Sequence, residues 1–116
     1  MRVIHEEGDT IRTLADDVYR ADGPLQKRTG LMFRRPLRTG EAMVFPFDSV
    51  SHRDVHTLFV RDSIDVVWVA EEVVERVSTL TPWTLSAGAR ADFVIELPVG
   101  GADGVTVGDF VRMAYT

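Results

Sequence analysis

Three side chains able to move a proton or hold an ion, His52, His56 and Asp65, share one mostly apolar stretch, HRDVHTLFVRDSIDVVWV. Imidazole changes charge near neutral pH, and a carboxylate beside it can orient it as a general acid or base. Two histidines four residues apart also invite a metal. On a helix that spacing places both rings on one side, a turn apart. In a strand they would share a face but stand about 13 Å apart, from a rise of about 3.3 Å per residue. Zinc binds nitrogen at about 2.0–2.1 Å, so a strand excludes a shared ion unless the chain bends sharply between them. The β-branched and aromatic content from Val55 onward reads as strand. No H-E-x-x-H occurs, and the chain has no cysteine, which removes thiolate ligands, disulfides and a cysteine nucleophile. No metal and no cofactor is expected.

Asp65 lies in Ile64-Asp-Val-Val-Trp-Val, a run apolar at both alternating sets of positions, the pattern of a strand buried on both faces. A carboxylate there costs several kcal/mol unless it is paired or hydrogen-bonded. Its available partners are backbone N–H groups at the Arg61-Asp62-Ser63 turn, an arginine, or His56. Register decides the last. With Val60 opposite Ile64 the two residues face opposite sides; with Val60 opposite Asp65 they share a face, four positions apart along the ladder. Both readings stand here: a working pair, or a turn-capping carboxylate beside a satisfied histidine. Arg34 and Arg35 form a basic spot whose forks suit a carboxylate or phosphate, or else pair with acids such as Glu41 or Asp48. Trp83, in TPWT, sits in a loop, where an indole lines a cleft or covers a barrel end. Arg34, His56, Asp65 and Trp83 are the candidate ligand-binding residues. The chain shows no G-x-S-x-G elbow, P-loop or dinucleotide fingerprint, and no nucleophile triad can be named.

A scaffold must position these groups. The sequence predicts two short extended pieces around a turn at Glu7-Gly8-Asp9, the second ending by Asp22-Gly23-Pro24. A short helix is predicted from Pro24 to Thr29, with Pro24 at its first position, Asp22 or Gly23 as cap, and Gly30 to end it. After a turn at Thr39-Gly40 comes AMVFPF, where Pro46 argues against an interior strand because it cannot donate to a ladder. Three strands are predicted at Val55 to Val60, Ile64 to Ala70 and Val73 to Leu80, with links short enough for an antiparallel meander. A loop over TPWTLSAGARA leads to the strand DFVIELP. Pro98 and the glycines of VGGADG suit one helical turn or an irregular loop, and VGDFVRMAY closes as a turn and a strand. That gives a mainly β fold, an antiparallel sandwich or squashed barrel of about eight strands with one or two helical turns.

At 116 residues, 45% of them hydrophobic and 27% charged, the chain suits a single domain over 1–116 with a core that needs no staples. The net charge of −5 argues against phosphate contact, so no nucleic-acid partner is expected. Lys27 is the only lysine, an arginine bias that fits a GC-rich genome. The opening MRVIHEEGDT has charges where a secretory signal needs an apolar core, and no run approaches the roughly 20 apolar residues of a membrane helix. A cytoplasmic protein without a membrane partner is the expectation. Oligomeric state leaves no mark in the sequence.

Several stretches occur together in one order: RTGLMFR, GEAMVFPFD, VHT with IDVVW, LTPW, and VIELPVG with VGD. Together they resemble the domain-of-unknown-function family 192, small prokaryotic proteins, over roughly Leu14 to Met113. Arg28, Gly30, Leu31, Met32, Phe33 and Arg34 correspond to its R-x-x-G-L-M-F-R, with one residue fewer between Arg28 and Gly30. His56, Thr57, Arg61, Ile64 and Asp65 match its H-T-x-x-M-R-F-P-I-D, with Val60 for the methionine and Asp62-Ser63 for Phe-Pro. Leu80, Pro82 and Trp83 match L-x-P-W, and Glu96, Leu97, Pro98 and Gly100 match E-L-P-A-G with Val99 for the alanine. The resemblance implies a mainly β, sandwich-like fold and no settled activity. It places Arg34, His56, Asp65 and Trp83 in a recurring pattern.

Three functions remain open. A non-catalytic binding domain would take a small anionic ligand between His56, Asp65 and Trp83, with Arg34 at the rim. A hydrolase- or lyase-type enzyme would use His56 as acid or base with Asp65 orienting it. A protein-interaction module would use a sheet edge or an apolar patch.

Overall fold

No residue from Ile64 to Ala70 is exposed, so this segment needs paired neighbours at both edges and cover on both faces. The computed structural model describes residues 1–23 and 35–115 and supplies both. Its strands are β1 (Arg2–Glu7), β2 (Thr10–Ala15), β3 (Asp17–Arg20), β4 (Glu41–Val55), β5 (Ile64–Ala70), β6 (Val73–Leu80), β7 (Ala87–Pro98) and β8 (Phe110–Ala114). They form one sheet in the order β2-β1-β8-β6-β5-β7-β4-β3. β5 lies between β6 and β7, with Ile64 opposite Leu80 on one side and Pro98 on the other.

The mainly β prediction holds, and the count of eight strands with it. The architecture differs in two ways. The sheet is mixed, because β3 runs parallel to β4 while the other pairs are antiparallel. It is also a single sheet that does not close into a barrel. It curls: one core cluster joins Val3 of β1 and Val111 of β8 to Val44, Val67 and Ile95 from strands far along the order. The other face buries Met43, Phe45, Ile64, Val66, Trp68 and Val94 under Val60 and Leu37, which lie in loops. A single residue, Asp16, joins the two edge strands β2 and β3, and the N–H groups of Asp16 and Asp17 both donate to the Gly40 carbonyl at 3.0 Å. β1 and β8 pair along their length, with Arg2 opposite Ala114.

Three local expectations are corrected. Val55 to Val60 is not a strand: β4 ends at Val55, and the residues from His56 to Val60 turn, with Phe59 at a left-handed φ of 61°. Pro46 lies inside β4 after all. It pairs with Phe93 where the register shifts between Pro46 and Ser51, an irregularity that spares a ladder donor. β7 begins at Ala87 within the expected loop, where a Cβ at Gly88 would come within 2.9 Å of the Arg53 carbonyl, so glycine lets the strands close. The predicted helix from Pro24 to Thr29 lies outside the described residues, and no helix occurs among those described. VGGADG takes the irregular-loop alternative, as successive turns rather than a helical one, with Gly100 and Gly104 at φ of 91° and 83° breaking any helical continuation.

Candidate functional site

Glu41, at the head of β4, is buried on the face that carries Met43 and Phe45. Its carboxylate accepts a fork from Arg35, Nη1 to Oε1 at 2.8 Å and Nη2 to Oε2 at 2.7 Å. The Arg38 N–H donates to Oε1 at 2.6 Å, and the Tyr19 hydroxyl to Oε2 at 2.9 Å. The Arg35 fork and the Arg38 N–H hold the Glu41 carboxyl well below the ordinary range, at about 2. Every acceptor site is used, so Glu41 positions residues 35–38 over the sheet rather than meeting a ligand.

Thr57 does the same for two neighbouring turns. Fully buried, it donates from Oγ1 to the Thr81 carbonyl at 2.6 Å and accepts the Thr84 N–H at 2.7 Å. Its own carbonyl takes the N–H of Val60 at 3.2 Å and of Trp83 at 3.0 Å. Asp65 anchors a third loop from the opposite face of the sheet. Its Oδ2 accepts the N–H groups of Gly100 at 3.0 Å and Ala102 at 3.1 Å, and its Oδ1 accepts the Thr79 hydroxyl at 2.7 Å.

Segments tied to these anchors surround one pocket. It has a volume of about 250 Å³ and is lined among the described residues by Arg35 to Leu37, Val60 to Ile64, Pro98 and Val99. Most of that lining is apolar. Arg61 makes no hydrogen bond or ion pair with a described residue, whereas Arg35 is committed to Glu41. Glu96 stands beside this pocket in the same sheet face. It pairs with Met43 on β4 and Val66 on β5, one step along the ladder from the Ile64–Pro98 pair. It is buried, its Oε2 has no hydrogen-bond partner among the described residues, and burial pushes its carboxyl up to about 8.

The sequence-derived residues separate. Arg34 lies outside the described residues. His56 is half-buried and accepts the Leu58 N–H on Nδ1 at 3.2 Å, shaping its own turn. Trp83 is 59% exposed with φ at 64°, its ring 4.8 Å from that of Phe59 in an edge arrangement. Thr57 thus brings the turns of His56 and Trp83 together. Asp65 is not with them: its three hydrogen bonds go to Thr79, Gly100 and Ala102, and its strand neighbours Val67 and Leu97 belong to the other core. Of the two readings of the Arg34–Arg35 spot, the structure gives Arg35 the pairing one: it is bound to Glu41, one of the two acids expected.

A second polar cluster escaped sequence reasoning. His5, buried in β1, bonds Asp109 Oδ2 through Nε2 at 2.8 Å and accepts Arg12 Nε on Nδ1 at 3.0 Å. Burial pushes the Asp109 carboxyl up, but hydrogen bonds from His5 and the Thr106 N–H outweigh it and hold the group below its usual value. His5, Glu7 and Asp109 could meet one cation by distance. Both ring nitrogens are already engaged, however, and the Arg12 guanidinium beside them opposes a second positive charge. The available signal was a lone histidine in an otherwise ordinary strand, RVIHEE.

The sequence model of one family, the domain of unknown function 192 described as an uncharacterized ACR, matches residues 3–113. Curated relatives include a UPF0127 protein from Pyrococcus abyssi, 37% identical over 84 residues covering 69% of each chain. Another, from Pyrococcus furiosus, is 37% identical over 94 residues, 78% of this chain and 79% of the relative. Among solved structures, a protein of unknown function from Novosphingobium aromaticivorans superposes with a TM-score of 0.85 at 20% identity, covering 97% of this chain and 84% of its own. A candidate transcription regulator from Sinorhizobium meliloti gives 0.82 at 21% identity, covering 96% and 91%. At those identities the likeness concerns the fold.

Proposed function

This chain belongs to the domain-of-unknown-function family 192, a family that brings no activity with it, and from that premise we propose that it is a non-catalytic binding domain for a small anionic ligand. The observation that carries the reading is Arg61, a guanidinium without a described partner on the wall of an apolar pocket of about 250 Å³. Ligand sites are commonly apolar clefts with a few polar groups that fix orientation. Arginine supplies a planar fork matched to carboxylate or phosphate. The three buried anchors, Glu41, Thr57 and Asp65, hold the surrounding loops from the side of the sheet and keep the pocket formed without a ligand.

The test is thermal unfolding against a panel of small organic acids and phosphates. A binder raises the melting temperature of the wild type by mass action, and Arg61→Ala, at an exposed position, abolishes the shift while unfolding like the wild type otherwise. Equal shifts in both proteins would remove the pocket from consideration. A catalytic pairing of His56 with Asp65 receives no support, since the three hydrogen bonds of Asp65 go to Thr79, Gly100 and Ala102.

A further inference from the structure

We propose that the pocket takes a free α-amino acid with an aliphatic side chain, its carboxylate held by Arg61, its ammonium group by Asp62, and its side chain by the apolar walls. The inference rests on the binding reading above and narrows the anion of that reading to one half of a zwitterion.

The mouth of the pocket carries both signs of charge. Arg61, Asp62 and Ser63 follow one another where the chain bends before β5, and all three line the pocket. The two charged side chains are exposed and Ser63 is half-buried. Among the described residues, none of these three side chains takes part in a hydrogen bond or ion pair, not even Arg61 with the neighbouring Asp62. A guanidinium fork and an acceptor carboxylate therefore stand available at one opening. Arg35 lies on the same wall, but the Glu41 carboxylate occupies its fork and cancels its charge.

Charge selects the polar end of the ligand. A simple anion drawn to Arg61 meets the Asp62 carboxylate, whose Cα is only about 3.8 Å further along the chain, and is repelled. A simple cation drawn to Asp62 meets Arg61 in the same way. A molecule bearing both charges satisfies both side chains at once. An α-amino acid carries its ammonium and carboxylate groups on a single carbon, which suits partners borne by consecutive residues. The arginine fork matches the carboxylate, and the Asp62 oxygens, with the Ser63 hydroxyl beside them, accept from the ammonium N–H groups.

Size and lining select the rest. Away from the mouth the walls are Pro36, Leu37, Val60, Ile64, Pro98 and Val99, all apolar. The volume of about 250 Å³ lies below the roughly 300–1,000 Å³ of drug-sized sites, so the occupant is small. A hydroxyl-rich ligand would leave polar groups unpaired against these walls. A branched aliphatic stem buries its methyl groups there and needs no further polar partner.

Calorimetric titration at low ionic strength, where exposed charges are least screened, tests the assignment with three matched probes. They are L-leucine, 4-methylpentanoate, which lacks the ammonium group, and leucinamide, which lacks the carboxylate. Each is titrated at about pH 7 into the wild type, Arg61→Ala and Asp62→Asn. Both substitutions fall at exposed positions and should leave the fold intact. The wild type should bind leucine, and either analogue about tenfold or more weakly, for the loss of one charge-assisted hydrogen bond. Asp62→Asn should weaken leucine by about tenfold yet strengthen 4-methylpentanoate, since the repulsion is gone. Arg61→Ala should weaken both. Wild-type affinity for leucine in Asp62→Asn would overturn the zwitterion. So would a wild type that prefers 4-methylpentanoate, or one that answers to phosphate or organic acids and not to leucine. Arg61-dependent binding in those cases keeps the pocket reading. Its absence with every probe removes the pocket reading and this inference together.

Discussion

At the scale of single residues, Glu41, Thr57 and Asp65 show how a small β protein fixes its loops. Each is buried, each accepts or donates at nearly every site it has, and each has at least one partner in a segment between strands. Asp65 makes the clearest prediction. Replacement by Ala orphans the N–H groups of Gly100 and Ala102 and should cost at least about 2 kcal/mol, since buried donors left unpaired cost about 1–3 kcal/mol each. Asp65→Asn, which keeps one acceptor oxygen, should cost less. Urea midpoints at unchanged slope measure both, and a change of Asp65→Ala within about 0.5 kcal/mol would contradict the anchoring role. The sequence discloses that this carboxylate is buried and compensated. It does not disclose by what, because the donors lie 35 and 37 residues away in a glycine-rich turn. The Arg35–Glu41 pair, six residues apart, was within reach of sequence reasoning; the His5–Asp109 bond, spanning 104 residues, was not.

At the scale of elements, β5 and β6 follow from their residues alone. Ile64 to Ala70 is apolar but for Asp65 and Val73 to Leu80 is rich in β-branched side chains, so both were legible to their ends. β4 was not, because Pro46 signals a break that a register shift absorbs, and the apolar residues after Val55 serve turns. The β5–β6 turn carries a visible cost. Glu71 and Glu72 take φ of 51° and 68°, the left-handed pair that a two-residue hairpin needs and that Asn-Gly supplies without strain. Glu72→Gly should therefore stabilise the protein by about 1 kcal/mol, from the roughly 1–2 kcal/mol that a left-handed L-residue costs less the entropy glycine adds to the unfolded chain. A lowered urea midpoint would mean that the Glu72 side chain contributes something the turn geometry does not reveal.

At the scale of the whole molecule, two acids on one face pull the pH dependence in opposite directions. Glu41, at about 2 when folded against an ordinary 4.5, contributes stability that is present above 4.5 and lost as pH falls toward 2. Glu96, at about 8, contributes stability that is present below 4.5 and lost as pH rises toward 8. For this pair alone the optimum lies near pH 4.5, with a decline toward 8 that Glu96→Gln should flatten while leaving the acid limb unchanged. Denaturant melts across that range read both limbs, and an alkaline limb shared by the variant would assign the decline to another group. The pairing of Arg2 with Ala114 bears on something else, the way such a unit can be spliced. Its entry and exit strands lie side by side, so the fold has a single doorway and can sit as a cassette within a loop of a host without spreading that loop. By the same token a circular permutant, with the old ends bridged by a short glycine-serine tether and new ends cut at Gly8-Asp9, should still unfold in one cooperative step. Loss of that step would show that the β1–β2 turn, and not merely the pairing of its strands, keeps the curled edge in place.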